Sequence, residues 1–196
     1  MANLATQSLG VAHAHEHARQ LAILVGASLL VALCAHITLP LPFTPVPLTL
    51  QNFAVLLIGL RLGSRRGFAA LMVYLAEGAA GLPVFNPTGP GGLLQLFGPT
   101  GGYLMVYPLV AGLAGLIMER GGHTFVRAVV AGIAAEAALF AGGLGWLALL
   151  THSFQQALRL GLYGFVFAEV IKIMAAAAIA ARLRPSLHRN SSQVGA

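Results

Sequence analysis

Apolar residues dominate this chain in six runs, separated by short segments of Gly, Pro and Arg. The first clear run is Leu21 to Leu39. After a Pro-rich break, Leu48 to Leu60 forms a second, shorter run, and a third extends from Gly67 to about Gly81. The fourth covers about Gly102 to Met118, the fifth begins near Thr124 and ends around Leu150, and the sixth covers about Leu160 to Leu183. A helix that crosses a bilayer needs about 20 mostly apolar residues, so each run predicts one span. The second and third are short, and are expected to tilt or to borrow flanking Leu and Ala residues. Gly142, Gly143 and Gly145 are expected to loosen the end of the fifth helix.

Composition strengthens this reading. Apolar residues make up 58% of the 196 positions and charged ones 8%, with a mean hydropathy of +0.83. That is too little polar surface to cover a water-soluble globule, so soluble enzymes are excluded. The charges are ten Arg, one Lys, five Glu and no Asp, a formal net charge of +6. In a soluble protein that balance would suggest nucleic acid. Basic runs with interleaved aromatics are absent, and no nucleic-acid partner is expected.

The arginines instead report topology, because basic residues at helix ends mark the cytoplasmic side. Arg19 precedes the first run, and Arg61, Arg65 and Arg66 lie between the second and third. Arg120 and Arg127 separate the fourth and fifth, and Arg182, Arg184 and Arg189 follow the sixth. With both termini inside, these nine all fall inside and only Arg159 falls in an outer loop. The expected fold class is an all-α integral membrane protein: six transmembrane helices, both termini cytoplasmic, and ordered outer lid loops. Residues 1–19 form a cytoplasmic, His-containing N-terminal segment, 20–184 the six-helix membrane domain, and 185–196 a flexible cytoplasmic tail.

Two outer loops stand out. Pro40 to Pro47 holds four of the ten prolines, and Gly81 to Gly102 carries Val84, Phe85, Leu93, Leu94, Leu96 and Phe97 among its glycines. A solvated linker has no need of those apolar groups, so both loops read as lids that fold back over an outward-facing cavity. No P-loop, catalytic triad or metal-hydrolase helix is visible. The chain reads as a binder or carrier rather than an enzyme, and no cofactor is expected.

An ionisable side chain in mid-bilayer costs at least about 2.5 kcal/mol, which makes it a functional candidate by default. Glu136 falls near the middle of the fifth run, and Glu169 and Lys172 lie three apart on one face of the sixth. They form either a self-neutralising pair that only fixes packing or, as favoured here, a site in which the sole lysine binds an anion while Glu169 accepts donors nearby. Glu77 reads as a rim residue in water. His13, His15 and His17 put two imidazoles on one helical face, but without supporting groups to orient them, so no metal site is expected. Cys34 is the one cysteine and reads as a small buried hydrophobe. Small residues recur at Ala14, Ala18, Ala22 and Gly26, and again at Ser28 and Ala32. Such ridges permit close helix approach, which leaves internal packing and docking to a membrane partner both open.

Several loop segments carry a resemblance. Pro45-Val-Pro-Leu-Thr-Leu-Gln51-Asn-Phe-Ala-Val, Gly81-Leu-Pro-Val-Phe85-Asn86, Gly91-Gly92 and Gly98-Pro-Thr-Gly-Gly-Tyr103 occur in the order found in the BioY family, and the likeness extends over roughly residues 20–184. The chain resembles these biotin-specific substrate-binding (S) components of energy-coupling-factor (ECF) transporters. The resemblance implies high-affinity capture of biotin on the outer side and its uptake across the cytoplasmic membrane. It also implies an energising module of one membrane scaffold protein and two cytoplasmic ATPases, with Ala22, Gly26, Ser28 and Ala32 facing that scaffold; self-association is possible. A buried Lys172 suits the biotin carboxylate. Asn86 and Gln51 offer the donor and acceptor that a ureido group needs, and Glu169, where the family usually carries Asp, could accept the ureido N–H groups in their place. Tyr103, Phe43 and Phe85 suit the apolar ring, and the resemblance adds Gly91 of the lid motif to the residues expected to bind biotin. The alternatives are an S component for another vitamin or for a nickel or cobalt ion. The latter family places His directly after the initiating Met, where this chain has Ala2 and Asn3.

Overall fold

The computed structural model describes the backbone of residues 2–122 and 124–182 and, from residue 15 onward, their side chains. The tail at 185–196, Arg184, Arg189 and the His13 side chain lie outside the described residues. Among the described residues, eight helices and one pair of two-residue strands follow in the order α1 (Ala2–His36), β1 (Thr38–Leu39), β2 (Leu48–Thr49), α2 (Gln51–Leu62), α3 (Ser64–Ala79), α4 (Gly92–Phe97), α5 (Gly101–Glu119), α6 (Phe125–Thr151), α7 (Phe154–Gly161) and α8 (Val166–Arg182). Six of these helices coincide with the six apolar runs.

Among the described residues, three segments are long and apolar enough to cross a membrane: His15–His36 within α1, Gly101–Glu119 and Phe125–Thr151. A fourth is the pair α7 and α8, bent by 55° at the break between them. Helix α2 is apolar but only 12 residues long, and α3 has 16. Their shortness suits a central position. Helix α2 packs against α1, α3, α5, α6 and α8, and eight of its residues are buried.

Close approach of α2, α3 and α5 depends on missing side chains. A Cβ on Gly59 would stand 2.4 Å from the Ala111 carbonyl oxygen, and one on Gly115 would meet the backbone of Gly63 at the same distance. Gly63 itself joins α2 to α3 in a single residue with φ +83°, a conformation that costs glycine little and other residues much. The Glu119 carboxylate closes this turn by accepting from the Ser64 amide and hydroxyl, at 2.7 Å each.

Four features depart from the sequence reading. The first lid loop is stapled at its base: β1 and β2 pair antiparallel, Thr38 opposite Thr49 and Leu39 opposite Leu48. Its four prolines lie outside that ladder, as residues without an N–H must. The second lid contains helix α4. The last apolar run does not begin a helix at Leu160; α7 ends at Gly161 and α8 starts at Val166. The Gly161 carbonyl accepts from the Tyr103 hydroxyl at 2.9 Å, so a tertiary bond holds a group that a continuous helix would have used. Finally, the glycines of α6 do not loosen it. The helix continues to Thr151, and Gly142 and Gly143 admit Val106 and the Tyr103 ring from α5.

Candidate binding site

A cavity opens where the N-terminal end of α2 meets α5, α6 and α8 beneath both lids. Gln51 and Asn52 come from α2, Tyr103, Leu104 and Tyr107 from α5, Glu136, Leu139 and Phe140 from α6, and Glu169 and Lys172 from α8. Thr49 of β2, Gly161 at the end of α7, and Val46, Pro47, Asn86, Thr100 and Phe165 from the connecting segments close it. Its volume is about 50 Å³, room for a few waters. A ligand of vitamin size therefore has to part the lids or displace side chains to enter.

Polar groups cluster at one end of this apolar chamber. The Lys172 ammonium donates to Glu169 Oε1 at 2.6 Å. Asn52 Nδ2 donates to Glu169 Oε2 and to Glu136 Oε2, at 2.7 Å each. Asn52, Glu136, Glu169 and Lys172 are only 4–7% exposed. Taking charges out of water costs several kcal/mol per ion, and only partners in good geometry offset it. Here two carboxylates and one ammonium are joined through one amide. Asn52 Oδ1 and Glu136 Oε1 are buried and have no hydrogen-bond partner in the protein.

Aromatic groups are placed as carefully. Tyr103 is held by its bond to Gly161, and a Cβ on Gly143 would stand 2.1 Å from its ring. Tyr107, four residues on, faces the same chamber. The lids are tied to this frame by backbone and side-chain bonds. Gln51 Nε2 donates to the Tyr74 hydroxyl at 2.9 Å, which donates to the Val84 carbonyl at 2.9 Å. Trp146 Nε1 donates to the Gly98 carbonyl, also at 2.9 Å, and the Thr44 hydroxyl donates to the Leu160 carbonyl. Asn86 Oδ1 accepts from the Thr88 amide and hydroxyl, and its carbonyl accepts from Gln95 Nε2.

Of the residues expected to meet a ligand, Lys172, Glu169, Gln51, Asn86 and Tyr103 line the cavity. Phe85, Phe43 and Gly91 do not. Phe85 is buried beneath the lid, edge-on to Tyr74 with ring centroids 5.4 Å apart. Phe43 is exposed beside Gly164. Gly91 precedes α4 as its N-cap with φ +72°, its amide donating to Gln95 Oε1. Among the lid hydrophobics, Val84 and Phe85 are buried, whereas Leu93, Leu94 and Phe97 face outward.

The small-residue ridge divides. Ala22 and Gly26 are exposed, and nothing in the chain stands within 4 Å of a Cβ on Gly26. Ser28 and Ala32 are buried, and the Ser28 hydroxyl donates to Glu77 across α1 and α3. Glu77, expected in water at a rim, is therefore half-buried and joins two helices. Among the described residues, no three His, Cys, Asp or Glu side chains converge as a metal site would require; His15 and His17 are exposed on α1.

Sequence reasoning overlooked Asn52, although it follows Gln51 directly. It flagged Glu136 as a buried carboxylate without bringing it to Glu169. Tyr107 and Phe165 were likewise missed. The four-residue spacing from Tyr103 to Tyr107 was a usable signal, whereas Phe165 lies in the break between α7 and α8, which no periodicity marks.

Comparison with known proteins places this arrangement. The sequence pattern of the BioY family matches residues 5–189. The biotin transporter BioY of Thermotoga maritima is 39% identical over 144 residues, 74% of this chain and 84% of that protein. A probable biotin transporter BioY of Pyrococcus horikoshii is 37% identical over 140 residues, covering 71% of this chain and 82% of its own length. The fold is that of the crystal structure of an S-component for biotin from an ECF-type ABC transporter, with a TM-score of 0.74, 23% identity, and coverage of 87% of this chain and 93% of that one. A helical membrane chain with these relatives and this fold belongs to the BioY family.

Proposed function

We propose that this chain captures biotin from the outer side of the cytoplasmic membrane and serves uptake as the S component of an ECF-type transporter. It is a binding and transport component, not an enzyme. The observation that carries the reading is the buried Lys172–Glu169 pair at the end of an apolar, aromatic-walled cavity under two lids, in a chain whose relatives are biotin transporters. Biotin needs a cation for its carboxylate, apolar walls for its thioether ring and polar partners for its ureido group. Lys172 uses one of its three donors on Glu169, which leaves two for an anionic oxygen. Asn86 and Gln51 offer amide groups, and Tyr103 a ring face.

Six crossings with both termini cytoplasmic would place nine of the ten arginines on one side, and that asymmetry supports the topology. The short α2 and α3 cross as tilted helices surrounded by longer ones. Exposed Ala22 and Gly26 offer a smooth face to the membrane scaffold of an energising module with two cytoplasmic ATPases.

Calorimetric titration of the purified, detergent-solubilised chain tests this reading, with biotin beside biotinamide. One-to-one binding of biotin with a marked loss for the amide supports both the vitamin and the role of Lys172. Equal binding of the two keeps the vitamin and removes Lys172 from the carboxylate. No binding of either overturns the proposal.

A further inference from the structure

We infer that helix α4 of the second lid is seated in the outer leaflet of the membrane, with Leu93, Leu94 and Phe97 set among lipid chains. The inference rests on the membrane topology proposed above and extends it to a segment that none of the six crossings includes.

Helix α4 has the polarity expected in lipid and the reverse of that expected in water. At 3.6 residues per turn, Leu93, Leu94 and Phe97 fall on one face, and they are 57%, 70% and 67% exposed. Gln95 lies on the opposite face and is 1% exposed. Its Nε2 donates to the Asn86 carbonyl at 3.3 Å, and its Oε1 accepts from the Gly91 amide at 3.1 Å. A surface helix in water turns its apolar side to the core and its polar side to solvent. Here the one polar side chain is hidden and three large apolar ones are shown. Residues 78–118 include no Asp, Glu, Lys or Arg, so no charge close in sequence draws this segment toward water.

The depth of α4 is fixed by its neighbours. Gly98, directly after the helix, accepts from Trp146 Nε1 at 2.9 Å. A Cβ on Gly101, the first residue of α5, would stand 3.1 Å from the same nitrogen. Helix α6 continues past Trp146 to Thr151, roughly 7 Å further along its axis. Over that stretch it shows Leu149 and Leu150 to its surroundings, 69% and 44% exposed. The neighbouring span is therefore still apolar on its outside beyond the level of the Trp146–Gly98 bond. Exposed Met105 and Leu109 carry the same surface down α5, against which α4 packs. Tryptophan itself favours the boundary between lipid chains and head groups. A contiguous apolar surface of this kind is a liability in water and ordinary against lipid.

Spin labelling of the chain in lipid nanodiscs tests this. A nitroxide is attached through Leu93→Cys, Leu94→Cys or Phe97→Cys, each in a chain whose buried Cys34 is replaced by Ala. Leu109→Cys, on the exposed face of α5, gives the lipid reference, and Arg120→Cys, in the exposed turn after α5, gives the water reference. Oxygen, which concentrates in hydrocarbon, should relax the labels on α4 as strongly as the label at 109. A water-soluble nickel complex should lose most of the effect it has at 120. Labels on α4 that behave like the one at 120 overturn the inference. So do labels that neither reagent reaches, which would mean that protein, such as a second copy of the chain, covers this face. Water-like behaviour at 109 overturns the membrane topology itself, and this inference with it. The unaltered chain gives an independent check, because Trp146 is its only tryptophan. Its fluorescence should be quenched by phosphatidylcholine brominated near the ester end of the chains and largely spared by iodide in the water. Quenching by iodide alone would set the Gly98 bond above the membrane and overturn the inference even if no cysteine variant folds.

Discussion

Removing the Lys172 ammonium separates a binding role from a packing role, because the two predict different behaviour in a double variant. Lys172 and Glu169 are 2.6 Å apart, with side chains 9% and 8% exposed. Lys172→Met leaves Glu169 buried with only Asn52 as a donor. Stranding one member of such a pair costs about 3–5 kcal/mol, which for a chain of this size corresponds to a fall in melting temperature of roughly 10 °C. Lys172→Met with Glu169→Gln removes both charges and should recover most of that loss, since a neutral amide can still accept from Asn52. Affinity for biotin should not recover. A charge-assisted hydrogen bond is worth about 1.5–3 kcal/mol, so the double variant should bind about ten- to a hundredfold more weakly than the parent. Thermal unfolding in detergent and calorimetry on the same samples give both numbers. A double variant that is stable and binds biotin within a factor of about two of the parent would refute the reasoning and reduce the pair to packing.

Three further outcomes are expected. Gly143→Ala sets a Cβ 2.1 Å from the Tyr103 ring, so it should lower both stability and biotin affinity, with overpacking worth about 1–3 kcal/mol; melting and titration check it, and unchanged values would mean that α5 and α6 can separate freely. Trp146 is the only tryptophan and is bonded to the lid at Gly98, so its fluorescence should change on biotin binding if the lid over 81–100 opens, whereas a silent Trp146 assigns entry to the loop over 40–47. Gly26→Trp should leave biotin binding by the isolated chain unchanged, because the residue is exposed with open space around it, while reducing uptake in cells that contain the energising module; unimpaired uptake would remove this face from docking.

The binding end of the molecule rests on short elements held from outside. Helix α2 has too few residues to be stable alone in water, yet it carries Gln51 and Asn52 at its first turn. Its position follows from the helices around it and from backbone contact at Gly59. The lids are similarly fixed by particular bonds, those of Tyr74, Trp146 and Thr44, and the small cavity beneath them means that some of these bonds must yield when a ligand enters.

The sequence by itself determined the membrane character and the order of the six main apolar segments, because apolar run length and the scarcity of charge are local properties of the chain. It also singled out Lys172, Glu169 and Glu136, since an ionisable group inside an apolar run is conspicuous without any structure. Only the tertiary structure decided that Asn52 joins Glu136 to Glu169, residues 84 and 117 positions away. It likewise decided that Ser28 and Glu77 hold two helices together, that Phe85 supports the lid instead of lining the cavity, and that the last apolar run breaks at Gly161. Each of these depends on which side chains distant segments bring to the same point, and helical periodicity records only which face a residue occupies, not what stands opposite it.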